Sequence, residues 1–218
     1  MTNDQGLKLI RAVEQADSTA SLLAAVQTLA EARLEVGIPT LIAVLSYNNP
    51  GAAVAAVEGL VQLGEAAVVP LLEQLDEYNY GGRAWAIRAL AKIADPRALE
   101  TLLAAAEKDF ALSVRRAAAQ GLGNLHWFKM PAAEIQPAQA RTLNTLMLTC
   151  QDPEWVVRYA SVVGLQALAT AIVETQPNLC SEAIAYFEQM VNKETDLAVC
   201  TRVRLAVGQL HKLPIPIS

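Results

Sequence analysis

An eight-residue helical motif occurs four times in this chain. Each copy has a small residue at its seventh position and a leucine at its eighth, and a further aliphatic residue follows three places later. This spacing places the apolar side chains on one side of a helix. The copies lie about 30 residues apart early in the chain and about 43 apart late, which is the length of one two-helix repeat. They are Ala53–Leu60, Arg83–Leu90, Arg115–Leu122 and Arg158–Leu165.

The motif predicts an all-α fold, an α-solenoid of about five HEAT-like two-helix repeats. A degraded fifth copy is expected at Arg202–Gly208, where Gln209 replaces the leucine, and an opening half-copy at Leu22–Leu29. A second helix should follow each motif helix. Because proline costs little in the first helical turn, we expect second helices to begin at Ile38-Pro39, Val69-Pro70 and Asp95-Pro96.

We expect a single α-solenoid domain over residues 1–218. Its longest interruption, residues 126–139, separates the third and fourth copies and opens with a histidine and two aromatic residues, so we interpret it as a functional insertion. Prolines at positions 214 and 216 prevent a helix from continuing. Residues 211–218 are therefore predicted to form an extended tail.

Composition excludes several classes of function. A net charge of −5 argues against a nucleic-acid partner, because phosphate binding needs a concentrated positive face. The arginines do recur in phase, so a local basic stripe on one face stays an open alternative. No stretch approaches the roughly 18 uninterrupted apolar residues of a membrane span, so we expect a cytoplasmic protein. Three cysteines at scattered spacing, Cys150, Cys180 and Cys200, fit a reducing compartment and are expected to be small buried hydrophobes, with a thiol relay as the alternative. No cluster has metal-ligand spacing, so no metal site is predicted.

Aspartates precede motif arginines at a fixed spacing. The spacing is six residues for Asp109 and Arg115, Asp152 and Arg158, and Asp196 and Arg202, and seven for Asp76 and Arg83. One interpretation is a ladder, in which each aspartate caps a helix and each arginine reaches the equivalent aspartate of the neighbouring repeat. The other is a line of cations for a ligand that carries carboxylates. Both hold if Arg83 or Arg88 keeps spare donors.

Aromatic residues cluster near the second copy of the motif. Tyr78, Tyr80 and Trp85 fall within eight residues, in a chain with only 5% aromatic residues. Such rings either fill space between repeats or present flat faces to a conjugated ligand or a partner. His126, beside Trp127 in the insertion, has two interpretations as well: a proton carrier near neutral pH or a partly buried structural histidine.

The most specific stretch of the chain is the run YNYGGRAWAIRAL at residues 78–90, followed by IADPRAL at 93–99. Together with DFALSVRRAA at 109–118, it resembles the phycobilin lyases of the E/F type, which are HEAT-like proteins of cyanobacteria and red algae that attach linear tetrapyrroles to antenna proteins. The resemblance covers about residues 20–210. Gly82 stands where many relatives have alanine, and the fifth repeat departs from the family pattern.

The resemblance implies a subunit of a heterodimeric phycocyanobilin lyase. The short length is similar to that of the F subunit, which acts with a longer E-type partner. The expected reaction attaches phycocyanobilin, the substrate, to a cysteine of the phycocyanin α subunit through a thioether bond, and no tightly bound cofactor is expected. The resemblance further implies a role in phycobilisome assembly in a cyanobacterium.

Because the acceptor protein brings the thiol, such a lyase must hold a flexible ligand with two propionates and needs no nucleophile of its own. We expect arginines to bind propionates, rings to contact the pyrroles, and an aspartate or histidine to move protons. The predicted pigment or partner surface is Tyr78, Tyr80, Arg83, Trp85 and Arg88, with Asp76 and His126 as the proton-handling, catalytic residues.

Two alternatives remain open from the sequence. One is a lyase-like protein of the same repeat family that helps to dismantle antenna complexes. The other is a scaffold without a ligand that presents one face to protein partners. A scaffold should neither shift the absorption of free bilin nor have its tryptophan emission quenched by it.

Overall fold

The computed structural model describes residues 3–75 and 80–214. These residues form twelve α-helices, and none of them lies in a β-strand, which confirms the all-α prediction. The helices are α1 (Asn3–Glu14), α2 (Thr19–Ala32), α3 (Ile38–Val44), α4 (Pro50–Leu63), α5 (Glu65–Glu73), α6 (Tyr80–Ile93), α7 (Leu99–Lys108), α8 (Leu112–Leu122), α9 (Ala132–Thr149), α10 (Trp155–Ile172), α11 (Pro177–Val191) and α12 (Leu197–Leu210).

The helices alternate along the chain as the repeat motif predicts. Helices α4, α6, α8 and α10 contain the four copies of the motif, and α3, α5, α7, α9 and α11 are the intervening second helices. Short 3-10 turns precede two of the second helices, at Glu35–Gly37 and Pro96–Ala98. The chain forms two compact units, residues 1–98 and residues 99–218. The prediction of a single domain over residues 1–218 stays a prediction.

In the first unit, the motif helices stack directly on one another. Helix α2 packs against α4 and α4 against α6, while α3 and α5 pack on the same helices from the second layer. Asn49 joins two successive repeats, since its side chain caps α4 by accepting a hydrogen bond from the Ala52 N–H at 3.1 Å and donates to the Thr19 carbonyl at 3.3 Å.

One predicted helix boundary in this unit is wrong. Helix α5 begins at Glu65 and not at Val69-Pro70. Gly64 ends helix α4 with a φ of 62°, and α5 begins at the next residue. Pro70 lies inside α5. The prediction at Ile38-Pro39 is confirmed, with proline in the first turn of α3.

In the second unit, α10 is the central helix. It packs between α8 and α12, and helices α7, α9 and α11 form the second layer. The backbones of α8 and α10 come into direct contact. A Cβ atom on Gly164 would lie 2.2 Å from the Ala119 carbonyl oxygen, and one on Gly123 would lie 1.9 Å from the Gly164 oxygen. The small seventh residue of this motif copy is therefore what allows two successive repeats to pack closely.

Helix α10 also meets the length and hydropathy criteria for crossing a membrane, alone among the helices of the described residues. Half of this 18-residue helix is buried inside the structure, and its Arg158 forms a salt bridge with Glu194. Its apolar character is that of a helix in the centre of a two-layer stack.

Two further predicted segments fall at the edges of repeats. Residues 126–139 form a 3-10 turn, Trp127–Lys129, and the first turns of α9. Residues 211–214 follow α12 in a turn, and residues 215–218 lie outside the described part of the chain. The interpretations of 126–139 as a functional insertion and of 211–218 as an extended tail stay predictions.

Candidate functional site

Helix α6 carries most of the predicted pigment surface. On its exposed side the guanidinium carbon of Arg88 lies 4.6 Å from the centre of the Trp85 ring, a cation–π contact between residues three places apart. Trp85 is half-buried and Arg88 is exposed. The contact fixes a flat indole and a guanidinium group side by side at the surface, a pair that can bind a conjugated anion.

Arg83 lies on the wall of a groove in the first unit. The groove has a volume of about 510 Å³ and lies between α3, α5 and the start of α6. Its apolar lining includes Pro39, Ile42 and Ala86, and Glu73 also lines it. An arginine on the wall of a partly apolar groove is an arrangement that can bind the carboxylate of an otherwise apolar ligand.

The predicted residues of α6 do not all come together. Arg83 and Trp85 are two places apart, and residues at that spacing point to different sides of a helix. Arg83 accordingly lines the groove, and Trp85 is absent from its lining. Tyr80 is the first residue of α6, and its side chain lies outside the described part of the structure, as do Asp76 and Tyr78. Their assignment to the site stays a prediction.

His126 lies in the second unit, between α8 and the turn Trp127–Lys129. Its ring is half-buried and lies 5.5 Å from the ring of Phe128, which is 77% exposed. The Nδ1 atom of His126 is shielded from solvent and has no hydrogen-bond partner within the described residues. A buried ring nitrogen without a partner leaves a hydrogen bond available at this position.

The arginine of the third motif copy binds a carboxylate of the next repeat and two carbonyls of its own loop, an arrangement that we call a clamp. Arg115 donates from Nε and Nη2 to both carboxylate oxygens of Asp152, at 2.7 and 3.1 Å. Its Nη1 donates to the carbonyls of Asp109 and Phe110, just before its own helix. Asp152 raises the pKa of Arg115 further through this hydrogen bond. The ladder prediction is confirmed for this pair, which joins two successive repeats.

The next arginine repeats the clamp with a different acid. Arg158 donates from Nε and Nη2 to Glu194 at 2.8 and 3.0 Å, and from Nη1 to the carbonyls of Asp152 and Pro153. The predicted partner, Asp196, instead caps α12 by accepting hydrogen bonds from the N–H groups of Ala198 and Val199. The acid of this clamp was therefore predicted two residues too late.

The predicted register of the fifth motif copy is wrong by the same two residues. In α10, in α12, and in α8 with the three residues after it, buried positions lie four, seven and eleven residues after a first buried position. This pattern aligns Glu194 with Asp152 and Cys200 with Arg158, so Arg202 does not occupy the clamp position. The aligned sets are Val114, Ala118, Gly121 and Leu125; Val157, Ser161, Gly164 and Leu168; and Val199, Val203, Ala206 and Leu210.

Two of the three cysteines are buried and poorly reactive. Cys150 and Cys180 are buried, as predicted, and burial raises the pKa of both thiols. Cys200 is half-buried on α12, so the prediction of a buried cysteine is wrong at this position. A thiolate is the nucleophilic form, so raised pKa values make Cys150 and Cys180 poor nucleophiles.

Among the described residues, no three His, Cys, Asp or Glu side chains cluster as a metal site.

Comparison with known proteins agrees with this architecture. The family model for HEAT repeats matches residues 70–166. A solved structure, the complex of CpcE and CpcF of phycocyanin lyase from Nostoc, matches with a TM-score of 0.74 and 52% identity, over 78% of this chain and 97% of that one. Fold and repeat contacts thus define a HEAT-repeat protein.

Curated relatives identify the family within that class. The phycocyanobilin lyase subunit beta of Pseudanabaena tenuis is 56% identical over 96% of this chain and 74% of its own length. The phycocyanin alpha phycocyanobilin lyase CpcF of Synechocystis is 57% identical over 74% of this chain and 76% of its own length. The chain belongs to the family of phycocyanobilin lyase beta subunits, which confirms the resemblance of residues 78–118.

Proposed function

We propose that this chain is the F-type subunit of a heterodimeric lyase that attaches phycocyanobilin to a cysteine of the phycocyanin α subunit. The observation that carries the proposal is 56% identity over 96% of the chain to a protein named phycocyanobilin lyase subunit beta. The match to one chain of the CpcE and CpcF complex supports an E-type partner. We place this activity in the cytoplasm, during phycobilisome assembly.

The proposed role of the complex is to hold the pigment and the acceptor cysteine in a reactive geometry. The acceptor cysteine forms the new carbon–sulfur bond to the ethylidene group of the pigment, and the proton lost by the thiol is balanced by a proton gained by the tetrapyrrole. This division of work fits a chain whose buried cysteines have raised thiol pKa values and whose α6 surface presents arginine and indole groups.

The test is co-expression of the apo α subunit and the phycocyanobilin pathway with the E-type subunit, with and without this chain. Covalent pigment on the α subunit, seen by zinc fluorescence of denatured protein, should require this chain. Full attachment in its absence would overturn the proposal. Free-bilin titration of the purified heterodimer separates a lyase from a scaffold, because a scaffold would leave both the bilin absorption and the tryptophan emission unchanged.

For the site, we propose that Arg83 and the Trp85–Arg88 pair contact the pigment or the acceptor protein, together with Tyr78 and Tyr80, and that Asp76 and His126 handle protons. The support is the groove lined by Arg83 and, on another side of the same helix, the cation–π pair of Trp85 and Arg88. Arg88→Gln should slow attachment without unfolding the chain, since Arg88 is exposed. Lys92→Gln, on the exposed side of the same helix, is the matched control.

A further inference from the structure

In the second unit, the helices that pack side by side as the first layer are α8, α10 and α12. They carry positive charge and no negative charge. Helices α8, α10 and α12 contain five arginines and neither aspartate nor glutamate. Two of these arginines, Arg115 and Arg158, are neutralised by acids from the loops. The other three, Arg116, Arg202 and Arg204, form no salt bridge with any described residue.

Arg202 differs from the other two because its charge is partly removed from water. Its side chain is half-buried, whereas Arg116 and Arg204 are exposed. Burial lowers the pKa of Arg202, and the smaller opposing effect comes from the Tyr159 phenol and not from a carboxylate. Its Nη1 atom is shielded from solvent without a hydrogen-bond partner in the described part of the chain. A half-buried guanidinium group with an unused donor is costly unless an anion neutralises it.

Arg202 has neutral surroundings that combine polar and apolar side chains. Nη2 donates to Gln166 Oε1 at 2.6 Å, and Gln166 is hydrogen-bonded in turn to Gln209. All three line an open pocket of about 510 Å³ between the end of α8, α10 and α12, along with Asn124 and Thr170. The lining contains these hydrogen-bonding groups, one cation and no carboxylate, and the rest of it is glycine or apolar: Gly123, Leu125, Val163, Ala167 and Ala171.

We propose that this pocket binds a carboxylate, with Arg202 as the cation and Gln166 and Gln209 as hydrogen-bonding neighbours. Rotation of the guanidinium group toward the pocket would give the ligand both Nη groups in a bidentate pair. Two sources can supply the carboxylate: a propionate of a tetrapyrrole, or an acidic side chain of a protein bound by this chain. The first source rests on the proposed function.

The test uses the heterodimer with its E-type partner and compares Arg202→Gln with Arg204→Gln. The control removes the same charge two residues away on the same helix, at an exposed position. Loss of a charge-assisted pair should weaken the Kd by about ten-fold or more in Arg202→Gln. The control should change it by less than about three-fold.

Two arms separate the sources. In the first, phycocyanobilin and its dimethyl ester are titrated into each heterodimer: a loss in Arg202→Gln that is confined to the free acid identifies a propionate. In the second, affinities for the E-type subunit and the apo α subunit are measured: a loss there with unchanged pigment affinity identifies a protein carboxylate. Equal affinities for every probe in Arg202→Gln and wild type, or equal losses in both variants, would overturn the proposal.

Two checks keep the result interpretable. Arg202→Lys retains the charge without the planar fork and should recover part of the affinity, which a purely structural role would not require. A wild-type complex that attaches pigment while Arg202→Gln behaves identically refutes the carboxylate pocket alone. A wild-type complex that neither binds nor transfers bilin refutes the proposed function instead.

Discussion

Helices α8 and α10 hold Arg115 and Arg158 in one kind of environment, and α12 holds Arg202 in another. Arg115 and Arg158 are each held by a carboxylate from the following repeat and by two carbonyls from their own loop. Arg202 on α12 donates from Nη2 to the neutral side chain of Gln166, and its shielded Nη1 has no partner among the described residues. All three arginines are partly buried, so burial alone does not distinguish them.

The difference shows how a repeat protein separates structure from binding. A guanidinium group that is fully used at a repeat junction contributes to stability and has little left for a ligand. One that is displaced by two residues from the clamp position loses its acid and keeps its charge. Positions where a repeat pattern slips are therefore where a solenoid can acquire a binding site.

The largest expected effect comes from breaking a clamp. Asp152→Ala leaves Arg115 partly buried without its carboxylate, and the two side chains are only 8% and 13% exposed. We expect a loss of about 3 kcal/mol in the free energy of unfolding, measured by urea denaturation. Glu100→Ala breaks the Arg141 pair, whose side chains are 71% and 54% exposed, and should cost less than about 1 kcal/mol. Equal losses would contradict the structural role of the clamp.

The second prediction concerns the packing of the same repeats. Gly164→Ala forces a Cβ atom to 2.2 Å from the Ala119 carbonyl, a backbone atom that cannot move aside without disturbing α8. We expect a loss of about 2 kcal/mol in the free energy of unfolding. In α12, Gly208→Ala meets nothing within 4 Å and should stabilise the chain by about 0.5 kcal/mol or more, through helix propensity. A Gly164→Ala variant as stable as wild type would refute the close approach.

The third prediction is a pH dependence. Hydrogen bonds from Arg158 lower the pKa of the Glu194 carboxyl in the folded chain below its ordinary value of 4.5. The stability that this pair contributes is therefore present above that ordinary value and is lost as the pH falls through the lowered folded value. Glu194→Gln should be less stable than wild type by about 1.5 kcal/mol at pH 7. The gap should close as the pH falls from above 4.5 through the lowered folded pKa of Glu194.

Thermal unfolding of the two chains across this pH range measures the gap. Asp4→Asn, which removes an exposed acid from a salt bridge near the start of the chain, should follow the wild-type curve. A gap between wild type and Glu194→Gln that widens on acidification would contradict the assigned pKa direction.

The fold could be predicted from the sequence because repetition is read directly from side-chain periodicity. The spacing of Ala53–Leu60 and its copies fixes helix type and helix order without any knowledge of contacts. The register of the last copy could not be fixed in the same way, since Arg202 resembles the clamp arginines in the sequence. The better signal was the spacing of Val199, Val203, Ala206 and Leu210, which repeats the buried positions of α10.

The site was predicted less completely, for a geometric reason. Chain neighbours such as Arg83 and Trp85 look like one cluster in a sequence, but a separation of two residues turns them to different sides of α6. Trp85 and Arg88, three apart, do meet. Glu194 was missed because Asp196, the expected clamp acid, has a competing use as a helix cap, and that choice depends on backbone N–H groups rather than on the sequence pattern.

The smallest expected effect tests the contrast between Arg202 and the clamp arginine Arg158. Arg202→Met removes a partly buried charge that no carboxylate neutralises and keeps the length of the apolar stem, so the free energy of unfolding should stay within about 1 kcal/mol of wild type or rise. Arg158→Met leaves Glu194 without its cation and should destabilise the chain by about 2 kcal/mol. Urea denaturation of the two variants measures the contrast. If Arg202→Met loses as much stability as Arg158→Met, the arginine of α12 is a structural clamp after all, and its shielded Nη1 atom is no argument for a ligand.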